Sequence, residues 1–495
     1  MNKIFKYGLL SIFVVTGFSC GNDFLEKSNE NTQTLTSAQL EAAGQIDPEV
    51  TGALMNGVLS LTYAFGSGGT SGHDDFGQKA YDIFGDMLSS DVALSVSTYG
   101  WYRASITEYQ APLDFTFGDN RQVWRYYYRI IRGCNEVIDG LGGTDAVPEL
   151  DENKYIMGQA KALRAHSYFY LAQFFQKEYV PNEEILPIYT DAKGQNVAKS
   201  TAQEVYDLME KDLTDAISLL DGYQRETKLQ INKNIAQGIY AYVLGARGTD
   251  PLKAHNMAVA ALQGYPIMSA TEVTGGFNDV NTAGWLWGLD CTPEVGLGLV
   301  SWWGQMDYFS YSYPAFGDAK AIDDLLYSQI PANDVRKTQF EDAPGTYEHL
   351  LPLYKFYDIA RQRYGAVRII RADYVYMRAA EFHLLAAEMG ARAGAEGQAR
   401  TYLKNVVSLR VPDASYIDNL SGNALLDEIY LQTRIELWGE GKSYLAMKRN
   451  KATITRGTNH LSFVGASIPY NDERMQFEIP EGEIQFNPFI STQNN

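Results

Sequence analysis

Residues 156–174 read IMGQAKALRAHSYFYLAQF. Ile156, Ala160, Leu163, Ser167, Leu171 and Phe174 recur at three- and four-residue spacing, the period of one buried helix face. Ala162 and Ala165 leave room for a second helix to approach closely. The same period extends in both directions. Val123, Tyr127, Ile130, Ile131, Cys134, Val137 and Ile138 predict a helix upstream. Downstream, Thr201 with Glu204 forms a capping box that opens a helix through Val205, Leu208, Met209, Leu213, Ile217 and Leu220. Ile235, Ile239, Val243 and Ala246 mark the next, stopped at Gly248. Asp250 and Pro251 read as N-cap and first residue of a helix ending near Gly264. Paired helices with alanines at their crossings predict a mostly α fold with tetratricopeptide-like packing and little β structure. The strict repeat signature is absent, so this is an argument from shape that any helical bundle would share.

Residues 265–370 break the pattern. Gly, Pro, Asn and Asp recur there, with aromatic residues crowded between them. So long a loop-rich insertion in a helical protein points to function. Gly66 to Gly72 and the segment around Trp101 and Tyr102 read as smaller loops of the same kind. Helices are expected again over 374–389, 396–409 and 424–449, followed by an extended, proline-punctuated end from Phe477.

The beginning of the chain reads as a secretory signal: Lys3 and Lys6, an apolar run from Gly8 to Phe18, then small Gly17 and Ser19 before Cys20. The run is too short for a stable membrane anchor. A cysteine at the cut point marks a bacterial lipoprotein, whose thiol takes a diacylglycerol. Gly17 departs from the aliphatic residue usual three places before it, and an ordinary signal with a chance cysteine is the alternative. This divides the chain into a signal at 1–19, the lipidated Cys20 with a polar tether to residue 40, and one domain over 41–495. Lipidation would hold the protein to a leaflet without crossing it.

Composition excludes several functions. With 45% hydrophobic and 20% charged residues the chain is globular. A net charge of -19, more acidic still once Lys3 and Lys6 are removed, repels phosphate backbones and makes nucleic acid an unsuitable partner. Beyond Cys20, Cys134 and Cys291 leave two readings open, one disulfide or two thiols; the place of Cys134 on an apolar stripe favours a buried thiol. Gly17-Phe18-Ser19-Cys20-Gly21 matches G-x-S-x-G but spans the signal cut, so it is no nucleophile elbow. HExxH, P-loop and CxxC motifs are absent, and the six histidines have no zinc spacing. His166 and His383 read as packing residues on helices, and the abundant carboxylates as solvated acids. No cofactor or metal is expected; calcium would find oxygen ligands but no EF-hand loop.

The C-terminal third carries a pattern: Arg378-Ala379-Ala380-Glu381-Phe382, Ala386-Ala387-Glu388, Arg434-Ile435-Glu436-Leu437, Glu440-Gly441 and Arg449, closing with Ile479-Pro480, Glu483-Ile484, Asn487-Pro488 and Gln493-Asn494. With Trp124, Tyr128, Ile131, Asn135 and Ile138, the run Ala160 to Ala165 with Tyr168 and Leu171, and Asp23-Phe24-Leu25-Glu26 after Cys20, it resembles the SusD/RagB family of Bacteroidetes outer-membrane lipoproteins. Ser443 and Ala446 stand where that family usually has an arginine and an aspartate. Both partners of that pair are missing together, so no charge is orphaned. The resemblance implies about four tetratricopeptide-like helix pairs in a superhelix, a loop-rich ligand face and no catalysis. It also implies a role as capture subunit of a SusC-like TonB-dependent transporter, with glycans as the ligand of many relatives and peptides of some.

Aromatic residues make up 13% of the chain, including 34 Tyr and 7 Trp. A flat ring covers the apolar face of a sugar while nearby polar groups pair with its hydroxyls. The candidate ligand residues are Trp101, Tyr102, Trp285, Trp287, Trp303, Tyr308, Tyr311 and Tyr313, with Asn278, Asp279, Asn281, Asp290, Gln305 and Asp307 as polar company. Trp285 with Trp287, and Tyr311 with Tyr313, share a face if their segments are extended. The competing reading is that these rings pin the long loops to the helices. The expected function is non-catalytic capture of a glycan and its delivery to the transporter. Peptide or other nutrient capture, and a helical scaffold without small ligand, are the alternatives, with an enzyme last.

Overall fold

The structure is a computed structural model that describes residues 47–362 and 368–494. The signal segment, Cys20 and the tether lie outside the described residues. In chain order the main helices are α1 (Pro48–Ser60), α2 (Gln78–Leu88), α3 (Gly118–Gly140), α4 (Asp151–Phe175), α5 (Ala202–Leu219), α6 (Lys233–Arg247), α7 (Pro251–Ala261), α8 (Ala379–Arg392), α9 (Glu396–Val407), α10 (Gly422–Glu436) and α11 (Ser443–Arg449). The strands are β1 (Val92–Ser97), β2 (Glu184–Pro187), β3 (Lys199–Thr201), β4 (Trp285–Leu289), β5 (Asp318–Ile322), β6 (Tyr374–Arg378), β7 (Thr453–Thr455) and β8 (Ser467–Pro469). They form only two-stranded antiparallel ladders, β1–β5, β2–β3, β4–β6 and β7–β8.

The helices α3 to α10 stack as four successive pairs, α3/α4, α5/α6, α7/α8 and α9/α10, and neighbouring pairs pack on one another. This is the tetratricopeptide-like architecture expected from the period. α10 packs chiefly on α8, and α1 covers α3 and α4. The local signals behave as read. Thr201 and Glu204 cap α5 reciprocally, Gly248 ends α6 at φ +73°, and the Asp250 side chain accepts from Lys253 N at 2.9 Å. No helix of the described residues is long and apolar enough to cross a membrane.

Three boundaries differ from expectation. Tyr374–Arg378 is a strand, because it pairs with Trp285–Leu289 at the neck of the insertion before α8 begins. The expected helix over 424–449 breaks between α10 and α11 at Gly439 (φ +74°) and Gly441 (φ +81°). A Cβ on Gly441 would lie 2.3 Å from Asp82 Cγ, so α2 packs directly against this break. The end of the chain holds a short helix, Glu481–Phe486, in place of a wholly extended run. Cys134 and Cys291 are both buried and free.

The insertion between α7 and α8 is locked to the stack by buried charge. The Glu436 carboxylate, at the end of α10, accepts from Arg410 Nε (2.9 Å) and Nη2 (2.8 Å), Arg378 Nη1 (2.8 Å) and Arg336 Nη1 (3.2 Å). Arg378 also forks onto Glu440 at 2.6 and 2.9 Å, and Lys355 reaches Glu440 at 2.9 Å. Arg336 and Lys355 come from the insertion, Arg378 from the end of β6 and Arg410 from just past α9. All of these groups are buried. Burial alone would raise Glu436, but Arg410, Arg378 and Arg336 hold it well below the usual carboxylate range. Arg378, Glu436 and Glu440 belong to the C-terminal sequence pattern. So do Glu381, Glu388, Arg434 and Arg449, which form buried or partly buried ion pairs: Glu381 with Lys442, Glu388 with Arg449, and Arg434 with Asp91. Ser443 and Ala446 are buried at the start of α11, so the variation there lies in the interior and not on an exposed helix face.

Removing one member of such a web leaves partners buried and uncompensated. Glu436→Gln should therefore cost about 3–5 kcal/mol at neutral pH, read by urea unfolding. Because the folded value of Glu436 is depressed, its contribution is complete above about pH 4.5 and fades as pH falls through the folded value. The stability gap between variant and wild type should close in acid. A gap below about 1 kcal/mol at pH 7 would deny the web its role.

Candidate functional site

The structure divides the sequence-predicted rings into two groups. Tyr102, Trp285, Trp287, Trp303 and Tyr308 are buried in the main hydrophobic core. Trp285 lies beside Phe277, with ring centroids 6.5 Å apart. Trp287 sits between His166 and Tyr376 and donates its Nε1–H to Leu229 O at 2.8 Å. The ladder is irregular between Trp285 and Trp287, and the alternation that was expected to present both rings together instead sends both inward. Trp303 is on a helical turn, edge-on to Trp302 at 4.9 Å, and the Tyr308 hydroxyl donates to Glu348. These rings offer a ligand no free face; they fasten a strand-poor insertion that has few other ways to bury apolar area. His166 and His383 are packing residues on α4 and α8, pushed by burial down to about 3 and about 4.

Trp101, Tyr311 and Tyr313 fall elsewhere, at the rim, where Trp101 and Tyr311 are partly exposed and Tyr313 is itself buried against its neighbours. Trp101 is partly exposed and packs over His73, with ring centroids 5.1 Å apart and planes within 2°. Tyr313 meets both edge-on, at 5.9 Å from His73 and 6.2 Å from Trp101, and its hydroxyl shares a 2.5 Å hydrogen bond with His73 Nδ1. Tyr99 is 58% exposed and stands 5.5 Å from the Tyr313 ring. Tyr311 is partly exposed, 5.6 Å from Phe316, with the exposed Arg368 guanidinium 4.3 Å from its ring centroid. Three loops thus converge: the one ending at His73, the turn 98–102 and the segment 307–317.

Local chemistry explains the convergence. Gly100 (φ +86°) and Tyr102 (φ +66°) make a left-handed turn around Trp101. Asp318 Oδ1 accepts from Thr98 N (2.5 Å) and Tyr99 N (2.9 Å), holding that turn to the start of β5. Gly317, at φ +117°, approaches so closely that a Cβ would sit 2.3 Å from Thr98 Oγ1. Beneath the rings, Gln305 Nε2 donates to the His73 carbonyl (2.9 Å), while Gln305 Oε1 accepts from Lys320 Nζ (2.9 Å). Lys320 lies 4.6 Å over the Tyr102 ring and is pushed by burial down to about 7. Tyr102 therefore supports the patch from below. Burial lowers His73, and it raises Asp74 well above the carboxylate range, with the nearby Asp119 charge adding to the effect.

The patch can cover an apolar ring surface and offers hydroxyls, an imidazole and a guanidinium at its edge. Among the described residues, no group of three or more His, Cys, Asp or Glu side chains is placed to hold a metal ion. Sequence reasoning named Trp101, Tyr311 and Tyr313 but missed His73, Tyr99 and Phe316 as members of the site. The glycines at 66–72 and at Gly100 were the available signal, since turns of this kind expose the residues beside them.

Two family models match the chain. Residues 78–243 match one described as starch-binding, associating with outer membrane, and residues 338–494 match the SusD family. The chain belongs to the SusD/RagB family. Among solved structures, a SusD-like carbohydrate binding protein from Bacteroides vulgatus is 24% identical, with a TM-score of 0.75 over 90% of this chain and 97% of that one. A SusD superfamily protein from Bacteroides thetaiotaomicron is 23% identical, TM-score 0.73, over 90% and 99%. Surface glycan-binding protein A from the same organism, in complex with laminarihexaose, is 15% identical, TM-score 0.66, over 90% and 99%. At these identities the likeness speaks for the SusD fold. No curated protein sequence matches the chain.

The raised Asp74 beside His73 makes a pH-dependent prediction. Its stabilising effect is present below about pH 3.8 and is lost as pH rises through the folded value. Asp74→Asn keeps a donor toward Asp119 and cannot ionise. It should match wild type near pH 4 and be more stable at pH 8. Melting temperatures across that range would show it; a variant less stable at pH 8 would contradict it.

Proposed function

We propose that this protein captures a glycan at the outer membrane without transforming it. In this reading the sugar chain lies on Trp101, with Tyr99 and Tyr311 beside it, while His73 and the buried Tyr313 hold the Trp101 ring in place. The observation that carries the reading is the partly exposed stack of Trp101 on His73, with exposed Tyr99 and partly exposed Tyr311 near it on converging loops. Rings held in advance lose little freedom when a ligand arrives. The family model described as starch-binding and the relative solved with laminarihexaose support a carbohydrate as the ligand class. Lipidation at Cys20, one domain over 41–495, a cell-surface position and delivery to a SusC-like TonB-dependent transporter complete the proposal. The Asp318 carboxylate near the patch is engaged by the backbone N–H groups of Thr98 and Tyr99 and holds the turn around Trp101.

Calorimetry against a panel of polysaccharides and their oligosaccharides tests this. One glycan class should give heat, and Trp101→Ala should weaken it by about 1–3 kcal/mol, by analogy with base–aromatic stacking. Silence across the glycans with heat from peptides would move the assignment to peptide capture. Glycan binding that Trp101→Ala and Tyr313→Ala leave within about fivefold would refute the ring-face site.

A further inference from the structure

A second concave site lies on the other side of the 66–73 loop. It is a cavity of about 450 Å³ between α3 and the segment 187–196, within the roughly 300–1,000 Å³ typical of small-molecule sites. Arg125, Arg129 and Arg132 line it from α3, with Tyr128 and Tyr189 as aromatic walls. Arg132 pairs with Glu136 at 3.1 Å. Arg125 and Arg129 have no carboxylate partner among the described residues. That is unusual in a chain with 60 acidic and 41 basic residues, where a carboxylate is seldom scarce. Nor do these side chains wave freely. Arg125 packs on Gly69, at φ +82°, so closely that a Cβ there would lie 2.6 Å from Cζ, and Arg129 Nη1 donates to Ser67 O at 3.4 Å. The far wall is also fixed: Tyr128 donates to Pro187 O (2.9 Å), and Asn135 Nδ2 to Tyr189 O and Asp191 O (both 3.0 Å). The two lining carboxylates are engaged elsewhere, Asp191 by Lys193 N and Glu483 by Asn487.

We propose that this cavity is a second binding site and that it takes a uronic-acid residue of an acidic glycan. The sugar ring packs on Tyr128 and Tyr189, and its carboxylate is held by the Arg125 and Arg129 guanidinium groups. A guanidinium fork matches a carboxylate in two parallel hydrogen bonds, and aromatic walls suit the C–H face of a sugar where a bare inorganic anion has no use for them. The inference shares with the proposed function the premise of a glycan ligand, but it uses different residues.

The test titrates the full chain with a short oligogalacturonate and with the same oligosaccharide methyl-esterified, which removes the charge and keeps the sugar. The acid form should bind and the ester should bind at least about tenfold more weakly, as expected for loss of a charge-assisted hydrogen-bonded pair. The double variant Arg125→Ala/Arg129→Ala should lose the acid form while melting as wild type does, because both side chains are exposed. Trp101→Ala should leave this binding unchanged, which separates failure here from failure of the Trp101 face. Equal binding of acid and ester, no binding of the acid form, equal binding by the double variant, or displacement by inorganic sulfate at matched ionic strength would each overturn the proposal.

Discussion

The fold depends on one buried carboxylate. Glu436 gathers the guanidinium groups of Arg336, Arg378 and Arg410 from three separate parts of the chain. Charges so deep are costly to desolvate, and apolar residues of equal volume could often match their stability. What the web adds is position. The insertion leaves the stack after α7 and returns at α8, and the ion pairs tie Arg336 and Lys355 within it, and Arg378 at its return, to Glu436 at the end of α10 and Glu440 just beyond. With that register set, β4–β6 closes the neck and β1–β5 carries the segment 307–317 to the turn around Trp101.

Burial and exposure of the aromatic rings follow from the same constraint. A long insertion with only short strands and turns needs large side chains to fill its interior, and the tryptophans of 285, 287, 302 and 303 do this. The rings left partly in solvent occur where glycines at left-handed φ and a tightly held Asp318 force sharp turns. Binding surface is thus concentrated at the rim where loops meet, and the helical repeats serve as the frame that holds them.

Much of the helical frame was legible in the sequence because a 3.6-residue period and a cap are local signals. The capping box at Thr201, the stop at Gly248 and the Asp250-Pro251 start depend on neighbours a few residues away. The strand at 374–378 was not legible, because its partner lies far upstream and short apolar runs read equally as helix. The break at Gly439 to Gly441 was hidden by continuous helix-like patterning on both sides of it, and it owes its shape to α2 packing across it. The site was half legible. Trp101, Tyr311 and Tyr313 were found by their loops, but alternation failed for Trp285 and Trp287, since alternate residues share a face only in a regular strand and this ladder is bulged. Several charged members of the family pattern in the C-terminal third, Arg378, Glu436 and Glu440 among them, belong to this buried ionic web and so report on the frame that holds the insertion.

The central claim, that ligand lies on the Trp101 ring, has a direct optical test. Of the seven tryptophans, Trp124, Trp285, Trp287, Trp302, Trp303 and Trp438 are buried, and Trp101 alone is partly exposed. Acrylamide should therefore quench Trp101 far more than the rest. The decisive measurement is acrylamide quenching with and without a glycan shown by calorimetry to saturate the protein, repeated on Trp101→Phe. The account predicts that the glycan shields the quenchable fraction in wild type and changes nothing in the variant. Undiminished quenching of wild type at saturation would place the ligand elsewhere and contradict it.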